Sequence, residues 1–206
     1  CNISRNRAYP DFKNDSKFNN LTENTMEILF KANSFPNTLN TLMGIESNYL
    51  LRIGDANIPN NQLQVATSVN NCTSADLQLE SGKWYHVAVA FNKGNVKVYI
   101  NGVEKLSGST GKSSVSLGAK HTNEEDGSRC FWVGYSYKDD RYFDGVVSEV
   151  RIWNRALTAE EIQATNHFYT IEPESEGLIA YWKFDEGSGT VAKDYSVSGY
   201  DLTIEK

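Results

Sequence analysis

The sequence has 206 residues, of which 39% are hydrophobic and 12% aromatic, with 15 glycines and 4 prolines. This composition is typical of a globular domain and argues against disorder, and the length is enough for a substantial core. The formal charge of −6 argues against nucleic acid or an anionic membrane as the main partner. No apolar run approaches the roughly 20 residues that span a bilayer.

Residues 1–24 are predicted to be an N-terminal lead-in to one domain, and their first residue allows two hypotheses. Cys1 could carry the lipid of a bacterial lipoprotein, or it could be the cut end of a longer chain. The other cysteines, Cys72 and Cys130, could form a disulfide in an oxidising compartment or remain separate, partly buried thiols. Neither belongs to a Cys-x-x-Cys pair, which argues against a zinc or redox site built on them.

Alternation of apolar and polar residues dominates the chain and predicts short antiparallel strands. In "TMEILFKA" Met26, Ile28 and Phe30 share one face, while Glu27 and Lys31 take the other. Further strands are predicted at residues 49–53, 62–67, 129–137, 145–153, 177–184 and 200–204, with two more inside residues 82–108.

The clearest turn is predicted at Asn101-Gly102, within the stretch 82–108. Both residue types tolerate the positive φ of a type I′ turn, so this dipeptide favours a two-residue hairpin. Many short strands separated by turn residues predict an all-β sandwich or barrel.

One short helix is predicted after Leu157. Thr158 as N-cap and Glu161 three residues later form a capping box, and Leu157 with Ile162 forms a hydrophobic staple. A helix of two or three turns depends on packing for its stability, and we expect it to cover one end or edge of the sandwich. The acidic segment 170–177 is predicted to be an exposed connector.

The motifs resemble the laminin-G-like and pentraxin-like branch of the concanavalin A-like lectin/glucanase superfamily. The resemblance is carried by "LESGKWYHVAVAFNKGNVKVYINGV" and "FDGVVSEVRIWNRALTAEEI", and the tail "GLIAYWKFDEGSGTVAKDYSVSGYDLTI" is similar to a second block of bacterial members. It covers residues 25–168 and 177–204. It implies a jelly-roll sandwich of two antiparallel sheets, an extracytoplasmic or cell-surface setting, and roles in carbohydrate recognition or adhesion, as in bacterial glycan-capture proteins.

The chain departs from this family in two places. Pentraxin-type members carry a Glu-Gln-Asp calcium cluster before the "F-x-G" motif, whereas this chain has "YSYKDDRYF" there, without the Glu-Gln pair. The tail block usually precedes a domain of this type, but here it comes last. We expect residues 178–206 to complete the same sandwich, so that residues 1–206 form a single domain.

The sequence offers little support for catalysis. Glycanases need two carboxylates a short distance apart, and the Glu-x-Asp-x-x-Glu strand of the glycanases on this fold is missing. Glu27 and Glu149 are expected to be solvated; a hidden glycanase would need them within roughly 5–10 Å across a groove. No histidine lies in a nucleophile motif, so we predict that the domain is not an enzyme.

Sugar binding requires aromatic faces together with polar groups. Trp132 alternates with Phe131 and Val133 and should therefore point to the opposite face of its strand, which Cys130 would share. The following loop, "YSYKDDRYFD", concentrates the other predicted ligand-binding residues, Tyr135, Tyr137, Arg141 and Tyr142. Rings and a bidentate donor in one loop suit a saccharide, and Arg141 would favour an acidic one.

The same loop offers three hard oxygen ligands for calcium, Asp139, Asp140 and Asp144. Paired acids in loops are commonly just solvated, so this site is a hypothesis. The sequence as a whole predicts a non-catalytic glycan-binding or adhesion module of a bacterial surface protein, with a possible lipid anchor and neighbouring domain. The alternative is a structural or protein-interaction domain that binds no sugar.

Overall fold

The structure is a computed structural model that describes residues 6–119, 130–136, 139–169 and 171–205. Within these ranges the chain forms 14 strands and one α-helix, α1 (Ala159–Gln163). None of the described helices is long and apolar enough to cross a membrane. The strands are β1 (Arg7–Pro10), β2 (Glu23–Ser34), β3 (Asn40–Ile45), β4 (Tyr49–Asp55), β5 (Ile58–Thr67), β6 (Asn71–Gln78), β7 (Trp84–Asn92), β8 (Asn95–Ile100), β9 (Val103–Ser109), β10 (Trp132–Val133), β11 (Asp144–Trp153), β12 (Leu178–Trp182), β13 (Val191–Ala192) and β14 (Leu202–Glu205).

The strands build two antiparallel sheets, which confirms the predicted jelly-roll sandwich. The eight-stranded sheet has the order β13-β14-β1-β10-β3-β4-β5-β6, and the six-stranded sheet has the order β12-β11-β2-β7-β8-β9. Apolar side chains from both sheets fill the core between them, among them Phe30, Leu51, Val65, Val89 and Val133. Their alternation along each strand leaves the intervening residues on the outer faces.

The predicted hairpin turn is confirmed. Ile100 of β8 pairs with Val103 of β9, and the two residues between them have φ of +50° at Asn101 and +80° at Gly102. These values are those of a type I′ turn, whose twist matches that of the flanking strands.

The chain's tail contributes strands to both sheets. β12 pairs with β11 at one edge of the six-stranded sheet, while β14 pairs with β1 in the eight-stranded sheet and β13 pairs with β14. Trp182 of β12 is fully buried and packs near the rings of Phe12 and Phe131. Residues 171–177 lead into β12 as a half-exposed connector.

The prediction that residues 1–24 are only a lead-in is wrong for their described part. β1 lies inside the eight-stranded sheet between β14 and β10, and Phe12 and Phe18 are fully buried. A four-residue strand is too short to show period-2 alternation, which is why the sequence did not reveal it. Cys1 lies outside the described residues.

The capping box of α1 is confirmed, because Thr158 accepts from the backbone of Glu161 while the Glu161 side chain accepts from the backbone of Thr158. The helix is five residues long, shorter than predicted, and Ala164 is its C-cap. Leu157 and Ile162 pack against Ala88 and other residues of the six-stranded sheet. The helix therefore covers the outer face of that sheet, not an end of the sandwich.

No disulfide joins Cys72 and Cys130. Cys72 belongs to the core between the sheets, whereas Cys130 packs with Trp132 on the outer face of the eight-stranded sheet. Burial raises the pKa of the Cys130 thiol to about 12. The thiolate, which is the reactive form, is therefore disfavoured at neutral pH.

Asp194 organises the tail through three backbone hydrogen bonds. Its Oδ1 accepts from the amides of Tyr181 and Ser196, at 2.9 and 2.8 Å, and its Oδ2 accepts from the amide of Tyr200 at 2.8 Å. Because Tyr181 belongs to β12 and Tyr200 precedes β14, this buried carboxylate ties together the parts of the tail that join different sheets.

Asp194→Ala is expected to lower the free energy of unfolding by about 2–4 kcal/mol, because it leaves three amides without their charged acceptor. Urea unfolding followed by tryptophan fluorescence measures the change. The matched control is Asp185→Ala, which removes an exposed aspartate of the same tail and should change stability by about 0.5 kcal/mol or less. Equal effects of the two substitutions would contradict the role assigned to Asp194.

Candidate functional site

Trp132 points away from the core, as its alternation with Phe131 and Val133 predicts. Phe131 and Val133 belong to the core between the sheets, and Trp132 lies on the outer face of the eight-stranded sheet in a separate cluster with Cys130 and Tyr135. We call this group, with the adjacent Tyr9 and Tyr142, the aromatic cluster.

The aromatic cluster is held by edge-to-face ring contacts and by one arginine. The ring centroid of Trp132 lies 5.0 Å from that of Tyr9 and 5.3 Å from that of Tyr135, both in T-shaped geometry. The guanidinium of Arg7 lies 5.6 Å from the Trp132 ring and 5.0 Å from the Tyr135 ring. Trp132 is only 2% exposed, so its ring supports its neighbours, while Tyr9 and Tyr142 are the more accessible members.

A polar network continues across the same outer face on β4, β5 and β6. Arg52 alternates with the core residues Leu51 and Ile53, and its Nε donates to Gln64 Oε1 at 2.7 Å. Gln64 in turn donates through Nε2 to Thr73 Oγ1 at 2.8 Å. Arg52, Gln64 and Thr73 are in register on neighbouring strands, which explains why these side chains meet.

Charges complete this network at its border with the loop that precedes β11. Arg52 pairs with Asp55, and Glu46 lies 4.0 Å from Arg52 Nη1 and 3.2 Å from Arg141 Nη1. We call Glu46, Arg52, Asp55, Gln64, Thr73 and Arg141 the Arg52 network, and its union with the aromatic cluster the outer-face site. Within the Arg52 network, the positive charges of the two arginines are matched by the negative charges of two carboxylates.

One acceptor in the Arg52 network has no hydrogen bond of good geometry. Glu46 Oε2 is buried and, although it lies near Arg141, no donor among the described residues is aligned with it. Buried polar atoms are nearly always satisfied by protein, water or ligand. This oxygen is therefore a candidate acceptor for a further donor, although a local side-chain movement would have to uncover it, because the atom is shielded from solvent.

The structure brings together four of the five predicted ligand-binding residues. Trp132, Tyr135 and Tyr142 are members of the aromatic cluster, and Arg141 belongs to the Arg52 network through Glu46. Tyr137 lies outside the described residues.

The predicted calcium ligands are placed differently from one another. Asp139 begins a 3-10 turn, Asp139–Arg141, and its side chain lies outside the described part, while Asp140 is exposed. Asp144 starts β11, and its two oxygens accept from Asn33 and Ser34 at the end of β2. Asp144 thus fastens two strands, and calcium binding by these three residues stays a prediction.

Glu27 and Glu149 do lie close together, but an arginine stands between them. Glu27 Oε2 is 3.8 Å from Arg151 Nη1, and Glu149 Oε2 binds Arg151 Nη2, so one guanidinium separates them. The expectation that Glu27 is solvated is wrong: it is 1% exposed, because α1 and the following segment cover this face of the six-stranded sheet.

The ionisation of Glu27 does not suit a general acid. Burial by itself raises the pKa of Glu27, but the contacts with His167 and His86 and the charge of Arg151 outweigh burial and hold the pKa well below its usual range. A glycanase acid needs a raised pKa. The pair of Glu27 and Glu149 therefore gives no support to a glycanase site.

Two groups of residues in these arrangements were not found from the sequence. The Arg52 network was missed because "YLLRI" reads as a continuous apolar strand with one charge, and Glu46 follows an ordinary strand end. The second group is Glu27, His86 and His167, whose ligand-type atoms lie within 4.8 Å of one another, the one such group of three within the described residues.

The profile described as the concanavalin A-like lectin/glucanases superfamily matches residues 6–163. The comparison with curated proteins gave no match. Among solved structures, the chain resembles a proposed carbohydrate-binding protein from Bacteroides ovatus ATCC 8483, with a TM-score of 0.82 and 27% identity. That match covers 100% of this chain and 57% of the other, so this chain spans a little over half of the Bacteroides protein.

Two more distant structures share the fold. Domain 4 of AbnA, a GH43 extracellular arabinanase from Geobacillus stearothermophilus solved in complex with arabinotriose, has a TM-score of 0.58 and 24% identity over 79% of this chain and 73% of that domain. The native heptameric SAP-like pentraxin from Limulus polyphemus has a TM-score of 0.54 and 16% identity, with 99% of this chain and 96% of the pentraxin covered.

Proposed function

The chain belongs to the concanavalin A-like lectin/glucanases superfamily, and we propose that it is a non-catalytic carbohydrate-binding domain whose outer-face site binds the glycan. The similarity to the Bacteroides protein, at 27% identity over the whole chain, supports carbohydrate as the ligand class. We further propose a bacterial cell-surface setting, with a neighbouring domain and with Cys1 as a lipid anchor.

The observation that carries this proposal is a Glu46 oxygen that pairs with Arg141 but has no aligned hydrogen-bond donor among the described residues, on the sheet face that also carries the aromatic cluster. A saccharide presents hydroxyl donors on its edges and C–H groups on its faces, so it pairs with a carboxylate acceptor and an aromatic ring at once. Glu46 Oε2 supplies the acceptor, and Tyr142, which follows Arg141 in the chain, supplies an accessible ring.

We propose a neutral glycan instead of the acidic one suggested by Arg141 alone. Arg141 lies 3.2 Å from Glu46 and Arg52 is paired with Asp55, so the four charges cancel. A carboxylated or sulfated sugar would have to compete with Glu46 and Asp55 for the two guanidinium groups, and both carboxylates would then lose their partners. Hydroxyl groups can instead join the network without displacing a charge.

Binding to a neutral oligosaccharide is expected to weaken about 10-fold or more in Glu46→Gln, because a hydrogen bond to a charged acceptor contributes about 1.5–3 kcal/mol. Tyr142→Ala should weaken it several-fold through loss of ring contact, about 0.5–1.5 kcal/mol. A glycan array that contains neutral and acidic polymers, and arabinotriose, identifies the ligand, and calorimetry then measures the variants. Repeating the array in EDTA, and again after calcium alone is restored, tests the predicted calcium ligands.

The matched control is Trp84→Ala, since Trp84 is 46% exposed and lies at the start of β7 in the other sheet. This variant should bind like the unmodified protein. Loss of binding in Trp84→Ala with retention in both other variants would place the glycan elsewhere. No binding across a broad array would favour the structural or protein-interaction role over the proposed one.

A further inference from the structure

A buried cluster beneath the segment that follows α1 has the composition of a transition-metal site. Glu27 lies on β2 and His86 on β7, which are neighbouring strands, and His167 lies beyond the C-terminus of α1. All three side chains are at least nine-tenths buried, with His86 4% and His167 7% exposed. Glu27 Oε1 lies 2.5 Å from His167 Nε2 and 3.1 Å from His86 Nε2, so both rings converge on one carboxylate oxygen.

Hydrogen bonds within the cluster do not satisfy the ring nitrogens of His86. Neither Nδ1 nor Nε2 of this buried imidazole has a hydrogen-bond partner among the described residues, because the contact with Glu27 Oε1 lacks the required geometry. A buried ring with both nitrogens unsatisfied is unfavourable. Coordination of a metal ion by Nε2 would satisfy one of them, and the ion would then lie between the two rings and the carboxylate.

The surrounding residues orient Glu27 in the way that a metal ligand requires. Trp153 Nε1 donates to Glu27 Oε2 at 2.7 Å, which leaves Oε1 directed at the two histidines. Outer hydrogen bonds of this kind are a regular feature of metal sites. Arg151 Nη1 lies 3.8 Å from Glu27 Oε2, and Arg151 is also bound by Glu149 and by the backbone oxygen of His167.

We propose that Glu27, His86 and His167 bind a Zn²⁺ ion. Two imidazole nitrogens and one carboxylate oxygen suit zinc, whereas calcium and magnesium require oxygen ligands. Zinc bonds of about 2.0–2.1 Å in tetrahedral geometry place ligand atoms about 3.3 Å apart. The Glu27–His86 distance of 3.1 Å already approaches this value, and the His167 contact of 2.5 Å must open by less than about 1 Å. The three ligand atoms lie within 4.8 Å of one another, so metal binding also requires the two imidazoles to adjust.

The metal would join three elements that are distant in the sequence. Through His167 it would fix the segment after α1 to β2 and β7. A surface cleft of about 280 Å³ borders the cluster and offers a path for the ion. This cleft is lined in part by Trp153, Ala164 and His167. With three ligands from the protein, the fourth tetrahedral position is left for water.

The test starts from the whole chain, stripped with a chelator, incubated with ZnCl₂ and desalted before its metal content is measured by mass spectrometry. We expect on the order of one zinc per chain, and a melting temperature about 5–10 °C higher when zinc exceeds its dissociation constant about 100-fold. Calcium and magnesium should cause no such shift. Cobalt in place of zinc should give the visible absorption of a tetrahedral site.

Variants then assign the ligands. His167→Gln and His86→Gln should lose the bound zinc and the thermal shift, while His121→Gln, which removes the remaining histidine of the sequence, should keep both. Circular dichroism checks that each variant is folded. If His86→Gln does not fold, the zinc content of His167→Gln alone tests the proposal. No bound zinc in the unmodified chain, or zinc retained by the folded His167→Gln variant, would overturn the proposal.

Discussion

Removal of residues 177–206 is expected to abolish the cooperative unfolding of the domain. The deletion takes away β12 from the six-stranded sheet and β13 and β14 from the eight-stranded sheet, so both layers of the sandwich lose an edge. It also removes Trp182, which is fully buried. Truncation of one buried tryptophan to alanine already costs about 3–5 kcal/mol, and the total stability of a domain is about 5–15 kcal/mol.

Thermal unfolding followed by calorimetry and circular dichroism measures the effect. The truncated chain should show no sharp transition and should bind hydrophobic dyes. A suitable control is Val197→Ser, which changes an exposed residue of the tail, 75% accessible, without removing any strand pair. If the truncated domain still melts sharply, the tail is an appendage of a sandwich that is complete without it.

Arg151→Ala is expected to destabilise the domain by about 3–5 kcal/mol. Arg151 is 2% exposed and makes contacts with Glu27 and Glu149. It also donates to the backbone oxygen of His167 at 2.7 Å. Removing the guanidinium leaves the buried carboxylate of Glu27 without its cation and frees the segment after α1.

The matched control for this change is Arg155→Ala. Arg155 also pairs with a glutamate, Glu161 at 2.8 Å, but its side chain is 32% exposed. Its loss should therefore cost about 1 kcal/mol or less. Urea titrations of both variants at pH 7 compare them directly. A difference of less than about 1 kcal/mol between the two would show that burial does not strengthen the Arg151 contacts.

Much of the fold follows from alternation and turn chemistry in the sequence. The strand of Met26, Ile28 and Phe30, the turn at Asn101-Gly102 and the capping box at Thr158 are local patterns, and local patterns are what a sequence displays directly. β1 was not predicted because four residues contain too little alternation to distinguish a strand from a loop.

The candidate site could be predicted only in part from the sequence. Period-2 alternation indicates on which face of a sheet a side chain lies, but it does not indicate which segments cover that face. Trp132 was correctly assigned to the outer face. Glu27 was also assigned to an outer face, but α1 and His167 cover it. The contact between Glu27 and His167 depends on a chain reversal that brings distant segments together. The Arg52 network likewise depends on the register of β4 with β5 and β6, which one sequence does not specify.

The pairing of Arg7 with Glu205 has a consequence for how the domain can be joined to other polypeptide. Because the start of β1 lies beside the end of β14, segments attached before residue 7 and after residue 205 leave from the same corner of the eight-stranded sheet. That corner borders the outer-face site, where Arg7 packs against Trp132 and Tyr9 donates to Glu205 at 2.7 Å. Flanking sequence would therefore lie next to the proposed glycan site and would enlarge or shield it. The length of chain chosen for a binding experiment is therefore part of the design of that experiment.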